Sequence, residues 1–392
     1  MTRNRTRAYP VATLLDLPPE LCAIICDLVD RYALRQLSRV SKSFRDQAQR
    51  LLFQDVDLRG KSSGGVSSWT RALTRNPKLG GHLRRLALGS DEISHAGDDA
   101  AKIARALQKC PNLKQLVVGS PFGDTMAERH TWIIDQGTFR LTHFTNGHFS
   151  HSFLHSFWNK QTSIRMLSLL RAFDTYSGFP CRDDQLPNLV ALEVPTTKWL
   201  PTSPRPLQRI QIRIEKHWAE RDFARLGLFA ATLTTVNLCQ PSFYDVGRTV
   251  EQIAEAVPNL RHLGLTERLP TADELRYRDF VFPLSTQPAP RLEPPRFKCL
   301  ETLVLYMYHI HHLVDQRHNR LHPMSEPASV AALFMEMAPQ LTEVVVGAYE
   351  EDIHGERHEK TYKVMRCRES GRLTEEFGFQ YDFAAVSRFE DV

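Results

Sequence analysis

Residues 14–58 read LLDLPPELCAIICDLVDRYALRQLSRVSKSFRDQAQRLLFQDVDL, and the fold of the N-terminal part follows from this stretch. Pro18 and Pro19 suit the start of a helix, where the first residues need no backbone donor. Asp16 is placed to cap that helix, and Glu20 puts a negative charge in its first turn. Leu21, Ile24, Ile25 and Leu28 then follow at i, i+3, i+4 and i+7, one apolar stripe on a helix. Leu34, Leu37 and Val40 make a second stripe. Ser41 can cap a third helix with Phe44, Ala48, Leu51 and Leu52 turned inward. Three helices in about 40 residues form a unit of marginal size unless it docks on something larger.

The order and spacing of Leu17-Pro18-x-Glu20-Leu21, Ile24, Leu28, Leu34-x-x-Leu37-x-x-Val40-Ser41-Lys42-x-Phe44-Arg45 resemble an F-box. The Val-Ser-Lys-x-Phe-Arg phrase at its distance from Leu-Pro gives the resemblance its specificity. Phe44 stands where the family commonly has Trp, and Ala33 where it often has Asp. The resemblance implies docking on the Skp adaptor of a cullin-based ubiquitin ligase. Short helices rich in Leu and Ile also leave apolar surface that a lone chain does not hide, the mark of an interface. The expected contacts are Leu17, Pro18, Leu21, Ile24, Ile25 and Leu28, with Leu34, Leu37 and Val40 in second line. Ile25, Leu37 and Phe44 read equally well as core of the three-helix unit.

Beyond a Gly/Ser-rich break at Gly60–Gly65, read as a loop, a phrase L-x-x-L-x-L recurs. It begins at Leu83, Leu113, Leu189, Leu207, Leu233, Leu260, Leu300 and Leu341, with looser copies at Leu141 and Ile164. Three apolar positions at fixed spacing fill often by chance, so the flanks carry the argument. Pro111-Asn-Leu, Pro187-Asn-Leu, Pro258-Asn-Leu and Pro339-Gln-Leu each open a phrase, at intervals of about 70 to 80 residues, or three units of some 25 residues. Helix-like runs (AAKIARALQKC, VEQIAEAV, VAALFMEMA) precede several of them, and Pro then ends the helix.

Helix, Pro, strand at this period resembles a leucine-rich-repeat solenoid. The Asn or Cys usual three residues after the last apolar position is missing, with Asp91, Pro121, Pro241 and Tyr308 among the replacements. The expectation is therefore a fungal-type F-box protein of α/β class. It would comprise a disordered basic tail (1–13), a three-helix F-box (14–58), an irregular leucine-rich-repeat-like solenoid with parallel strands (59–349), and a C-terminal cap or tail (350–392). A generic α/β domain with parallel strands is the alternative. Residues 266–298, dense in Pro, read as a long loop. Thr361–Arg368 and Phe377–Phe383 read as a terminal hairpin or a frayed tail.

The chain has 392 residues, 42% of them hydrophobic, and 50 basic residues against 45 acidic, a net charge of +5. Arg3, Arg5 and Arg7 are the one basic cluster, so nucleic acid is not an expected partner. Seven scattered cysteines and a polar, basic N-terminus without an apolar run argue for free thiols in a cytosolic or nuclear setting. No run is apolar enough to cross a membrane. No P-loop, dinucleotide fingerprint or Gly-x-Ser-x-Gly elbow is found. Cys22 and Cys26 lack further zinc ligands and read as core thiols. His148, His151 and His155 could face one way on a helix, and His309, His311, His312, His318 and His322 could coordinate a metal, the remote alternative being a metal hydrolase; both sets read more simply as wet surface. Phe149, Phe153, Phe157 and Trp158 read as a packing stripe. No catalytic, cofactor-binding or metal-ligating residue is nominated.

The function these readings imply is the substrate-recognition subunit of a Skp-cullin-F-box ubiquitin ligase. It would hold an unknown protein substrate on the solenoid without catalysing transfer itself. The alternative is a scaffold that binds the adaptor without ubiquitin transfer.

Overall fold

A computed structural model describes residues 17–61, 63–89, 97–119, 130–170, 178–213, 223–240, 246–267, 297–307, 327–351, 357–367 and 369–378. The expected basic tail, Asp16, all but the ends of the Pro-rich stretch and the histidines from His309 to His322 lie outside the described residues. The chain divides into two units, Met1–Leu141 and Thr142–Val392.

The first unit opens with helices α1 (Pro19–Asp27), α2 (Arg31–Leu37) and α3 (Lys42–Gln54). Asp30 caps α2 by accepting from the Ala33 N–H at 2.7 Å, and Ser41 caps α3 from the Phe44 N–H at 3.3 Å. Helix α1 has Pro18 at its N-cap position. Helix α3 runs straight into strand β1 (Asp55–Asp57), which pairs in parallel with β2 (Arg85–Leu88), itself paired with β3 (Gln115–Val118). Arg31 fastens the junction, donating to the carbonyls of Leu52 and Asp55 at 3.3 and 2.6 Å. Asp55–Asp57 thus belong to the sheet, not to the helical module that was expected to reach residue 58.

Helix α4 (Ser63–Arg75) starts inside the stretch read as a loop. Val66, Trp69, Thr70 and Leu73 bury at i, i+3, i+4 and i+7, and that apolar face outweighs the roughly 1 kcal/mol that each helical glycine costs. Helices α5 (Gly97–Leu107) and α6 (Trp132–Asp135) complete the unit.

The second unit carries eight parallel strands in chain order: β4 (His143–Asn146), β5 (Met166–Leu169), β6 (Ala191–Val194), β7 (Arg209–Arg213), β8 (Thr235–Gln240), β9 (His262–Glu267), β10 (Thr302–Met307) and β11 (Glu343–Glu351). Strand β9 runs on through the first two positions of the expected Pro-rich loop. Then β12 (Arg357–Arg366) and β13 (Leu373–Phe377) add on antiparallel, so the expected C-terminal hairpin exists, with its second arm earlier than Phe377–Phe383. Helices α7 (His155–Lys160), α8 (Val246–Ala256) and α9 (Pro327–Met337) lie between strands, while other links are 3₁₀ turns such as Thr197–Trp199 and Ala224–Phe229. This is an α/β chain with a mostly parallel, solenoid-like sheet after its helical start.

All ten phrases, the two loose ones included, become strands β2 to β11. The fourth and sixth positions are buried in nearly every copy, as in Leu86 and Leu88, Ile210 and Ile212, and Val344 and Val346. The leading residue of each, such as Leu83, Leu233 and Leu341, is buried too. Parallel strands sandwiched this way read as apolar on the covered face. The runs noted as helix-like form α5, α8 and α9, which end at Leu107, Ala256 and Met337, ahead of Pro111, Pro258 and Pro339.

The missing Asn/Cys ladder has a substitute. Asn112 donates to the Gly81 carbonyl at 2.7 Å, Asn188 to Thr162 at 3.0 Å, and Gln340 to Phe297 at 3.1 Å. In three of the four Pro-Asn-Leu and Pro-Gln-Leu phrases the amide thus ties its strand to the turn before the preceding strand.

Candidate functional site

Helix α1 faces two ways. Cys22 and Cys26, four apart, bury against Leu34, Phe44 and Ala48, which together form the core of the helical module. Burial pushes the Cys26 thiol up, in keeping with a core group. The Cys22 thiol points back at the Leu17 carbonyl, 3.7 Å away. The opposite side of α1 carries Leu21, Ile24 and Leu28, exposed by 45, 55 and 81%. These three, spaced i, i+3 and i+7, lie along one line of the helix surface, with exposed Pro18 at its N-terminal end.

The expected contact residues therefore divide. Pro18, Leu21, Ile24, Leu28 and Val40 are exposed. Leu17, Ile25 and Leu37 are half-buried and pack against the core. Leu34 corrects the expectation: its side chain is inside the module, because the α2 face it shares closes over Phe44. Phe44 itself is fully buried, the core role open to it from the sequence. Most of the apolar stripe read on α1 faces outward, and the inward positions belong to the two cysteines.

Tyr32 was not singled out, yet it is 70% exposed. The signal was available: two residues before the inward Leu34, it falls on the opposite side of α2. Arg50 and Asp27 bridge at 3.3 Å on the surface, a pair of little energetic weight.

The histidine readings change. His148 and His151 are buried, so the wet-surface reading fails for them, while His155 is exposed. They do not share a helix face, since His151 lies in a 3₁₀ turn and His155 opens α7. The cause is Asn146, which sits in a slot where other copies have an apolar residue. Its amide oxygen accepts from the N–H groups of His148 and Phe149, and its nitrogen donates to the Phe149 carbonyl at 2.8 Å. This clamp folds the loop inward and sets the His151 ring edge-on to Trp199, with centroids 4.8 Å apart. Phe149, Phe157 and Trp158 pack inside as expected, whereas Phe153 is exposed. Among the described residues no three His, Cys, Asp or Glu side chains group to hold a metal, and no helix is long and apolar enough to cross a membrane.

Set against family models, residues 14–54 match the F-box domain. The match ends at Gln54, where α3 ends and β1 begins, and does not extend to the strand-rich region. No curated protein matches the chain. The helical module is thus an F-box domain. F-box domains bind Skp-type adaptors, and the domain supports a role in adaptor binding within Skp-cullin-F-box ligases. F-box proteins are generally non-catalytic.

Proposed function

We propose that the chain is the substrate-recognition subunit of a Skp-cullin-F-box ubiquitin ligase. It holds the Skp adaptor through α1 and a protein substrate through the leucine-rich-repeat-like strand region. The observation that carries the reading is the exposed line Pro18, Leu21, Ile24 and Leu28 on a module matched to the F-box. Burying a Leu or Ile side chain contributes about 1.5–3 kcal/mol, so the three together supply roughly 5–9 kcal/mol towards offsetting the cost of association, and the residues around them add the rest. Leu17 and Ile25 flank that line on α1 itself, Leu37 and the exposed Val40 are further contacts of the same module, and Tyr32 adds an aromatic of the kind that anchors interfaces.

Catalysis here is placement. The adaptor and cullin bring the conjugating enzyme, and a substrate lysine tethered beside it sees a high effective concentration of activated ubiquitin. The setting is cytosolic or nuclear, where the seven cysteines stay as thiols. Purification of the full chain from cells under proteasome inhibition tests this. The reading expects the adaptor and a cullin among the co-purified proteins, and ubiquitin transfer onto a co-purified partner when the ligase is reconstituted. Adaptor without transfer would leave only a scaffold; no adaptor at all would overturn the reading.

A further inference from the structure

Strand β13 ends the second unit's sheet, and among the described residues no strand lies on its outer side. All five of its residues are exposed. Gly378 donates its N–H to the Thr361 carbonyl at 3.0 Å, and Cys367 to the Arg372 carbonyl at 2.9 Å. The alternation of antiparallel bonds between these two points turns the N–H and C=O groups of Leu373, Glu375 and Phe377 outward. They are a row of donors and acceptors ready for another strand.

The side chains say what that strand is. Leu373, Glu375 and Phe377 share the face on which Val344, Val346, Tyr362 and Val364 form core under α9. That apolar face outruns its cover, leaving Leu373 and Phe377 exposed by 44 and 66%. The Phe377 ring rests on Tyr362, with centroids 4.5 Å apart. Between them Glu375 accepts from the Tyr362 hydroxyl. Glu376 lies across from Lys363, which is already bonded to Glu343 at 2.8 Å. Arg366 is turned away onto the carbonyls of Met335 and Pro339 at the end of α9. The local balance at the middle of the edge is negative.

We propose that this edge binds an extended basic peptide segment of a partner protein by strand addition. Read across from Phe377 to Leu373, the segment runs apolar, basic, basic, neutral, apolar. A second copy of the chain fits poorly, because the full-length antiparallel pairing of β13 with itself, Leu373 opposite Phe377, sets Glu375 against Glu375, and like charges directly opposite are destabilising. This site stands apart from the adaptor contact and is tested separately.

The test titrates the full chain with a fluorescent peptide built around Val-Lys-Lys-Thr-Val, and with its acidic counterpart Val-Glu-Glu-Thr-Val. The native chain is expected to bind the basic peptide and not the acidic one. The double variant Glu375→Lys/Glu376→Lys is expected to bind the basic peptide at least tenfold more weakly and to gain the acidic one. Both glutamates are exposed, and the gain shows that the edge is intact. No saturable binding of the basic peptide, or binding that the charge swap leaves unchanged, would overturn the proposal. So would a dimer of the native chain that Phe377→Asp dissolves, since it assigns the edge to a second copy.

Discussion

At the scale of single residues, apolar positions of the helical module do opposite work. Ile24→Asp or Leu28→Asp is expected to leave the melting temperature nearly unchanged, because both side chains already meet water. Each is expected to weaken adaptor binding by roughly ten- to a hundredfold, the measure of one apolar side chain buried in an interface. Leu34→Ala behaves the other way. It empties a core position and costs about 2–5 kcal/mol of stability, read by urea unfolding. The thiols divide on the same principle. Cys22, Cys26, Cys110 and Cys181 are buried, while Cys299 and Cys367 are exposed. Hydrogen bonds from the Ser370 hydroxyl and from the Ser370 and Glu369 N–H groups hold the Cys367 thiol below its ordinary range, whereas burial pushes Cys110 up to about 12. A thiol reagent at neutral pH is therefore expected to modify Cys367 first, Cys299 next, and the four buried thiols only on unfolding, as mass spectrometry would show. The raised Cys110 value also has a stability consequence. Its neutral form is favoured in the folded chain, so the contribution is complete below the ordinary thiol value of 9.0 and is lost as pH rises from there through about 12. Cys110→Ala is expected to flatten that alkaline loss.

At the scale of elements, the strand phrases owe their regularity to both ends. The leading residue and the two inward positions fill the core, and Asn112, Asn188 and Gln340, each following a Pro, tie successive turns together. Asn112→Ala is expected to cost about 1 kcal/mol, leaving the Gly81 carbonyl without that donor. Gly80→Ala is expected to cost more, since a Cβ there would run into the Lys109 backbone carbonyl, which cannot swing aside as a flexible side chain does. Both are measured by thermal unfolding. Much of this was legible beforehand. The ten phrases and the helices α5, α8 and α9 follow from apolar spacing and from Pro as a helix stop. What escaped depended on contacts between distant residues. Asn146 reads as an ordinary polar residue until its loop folds over it, and only then do His148 and His151 become interior. The Gly-rich start of α4 looked like a loop because local propensity was overruled by the burial of Val66, Trp69 and Leu73. The short β1 was hidden inside the run assigned to the helical module, since three residues carry no period of their own.

At the scale of the whole molecule, the sequence carried the F-box clearly, because its Leu-Pro start and Val-Ser-Lys-x-Phe-Arg phrase sit at the right separation. It gave the side on which α1 stays exposed less clearly, since the apolar stripe and the cysteine pair compete for the inward position and only packing decides between them. The account's central claim is that the outward line of α1 is where the chain joins its ligase. The most direct measurement is calorimetric titration of the full-length chain with a purified Skp adaptor, beside the double variant Ile24→Asp/Leu28→Asp with its fold verified by circular dichroism. The account predicts saturable one-to-one binding by the native chain and none measurable by the variant. Equal binding by the two would contradict it.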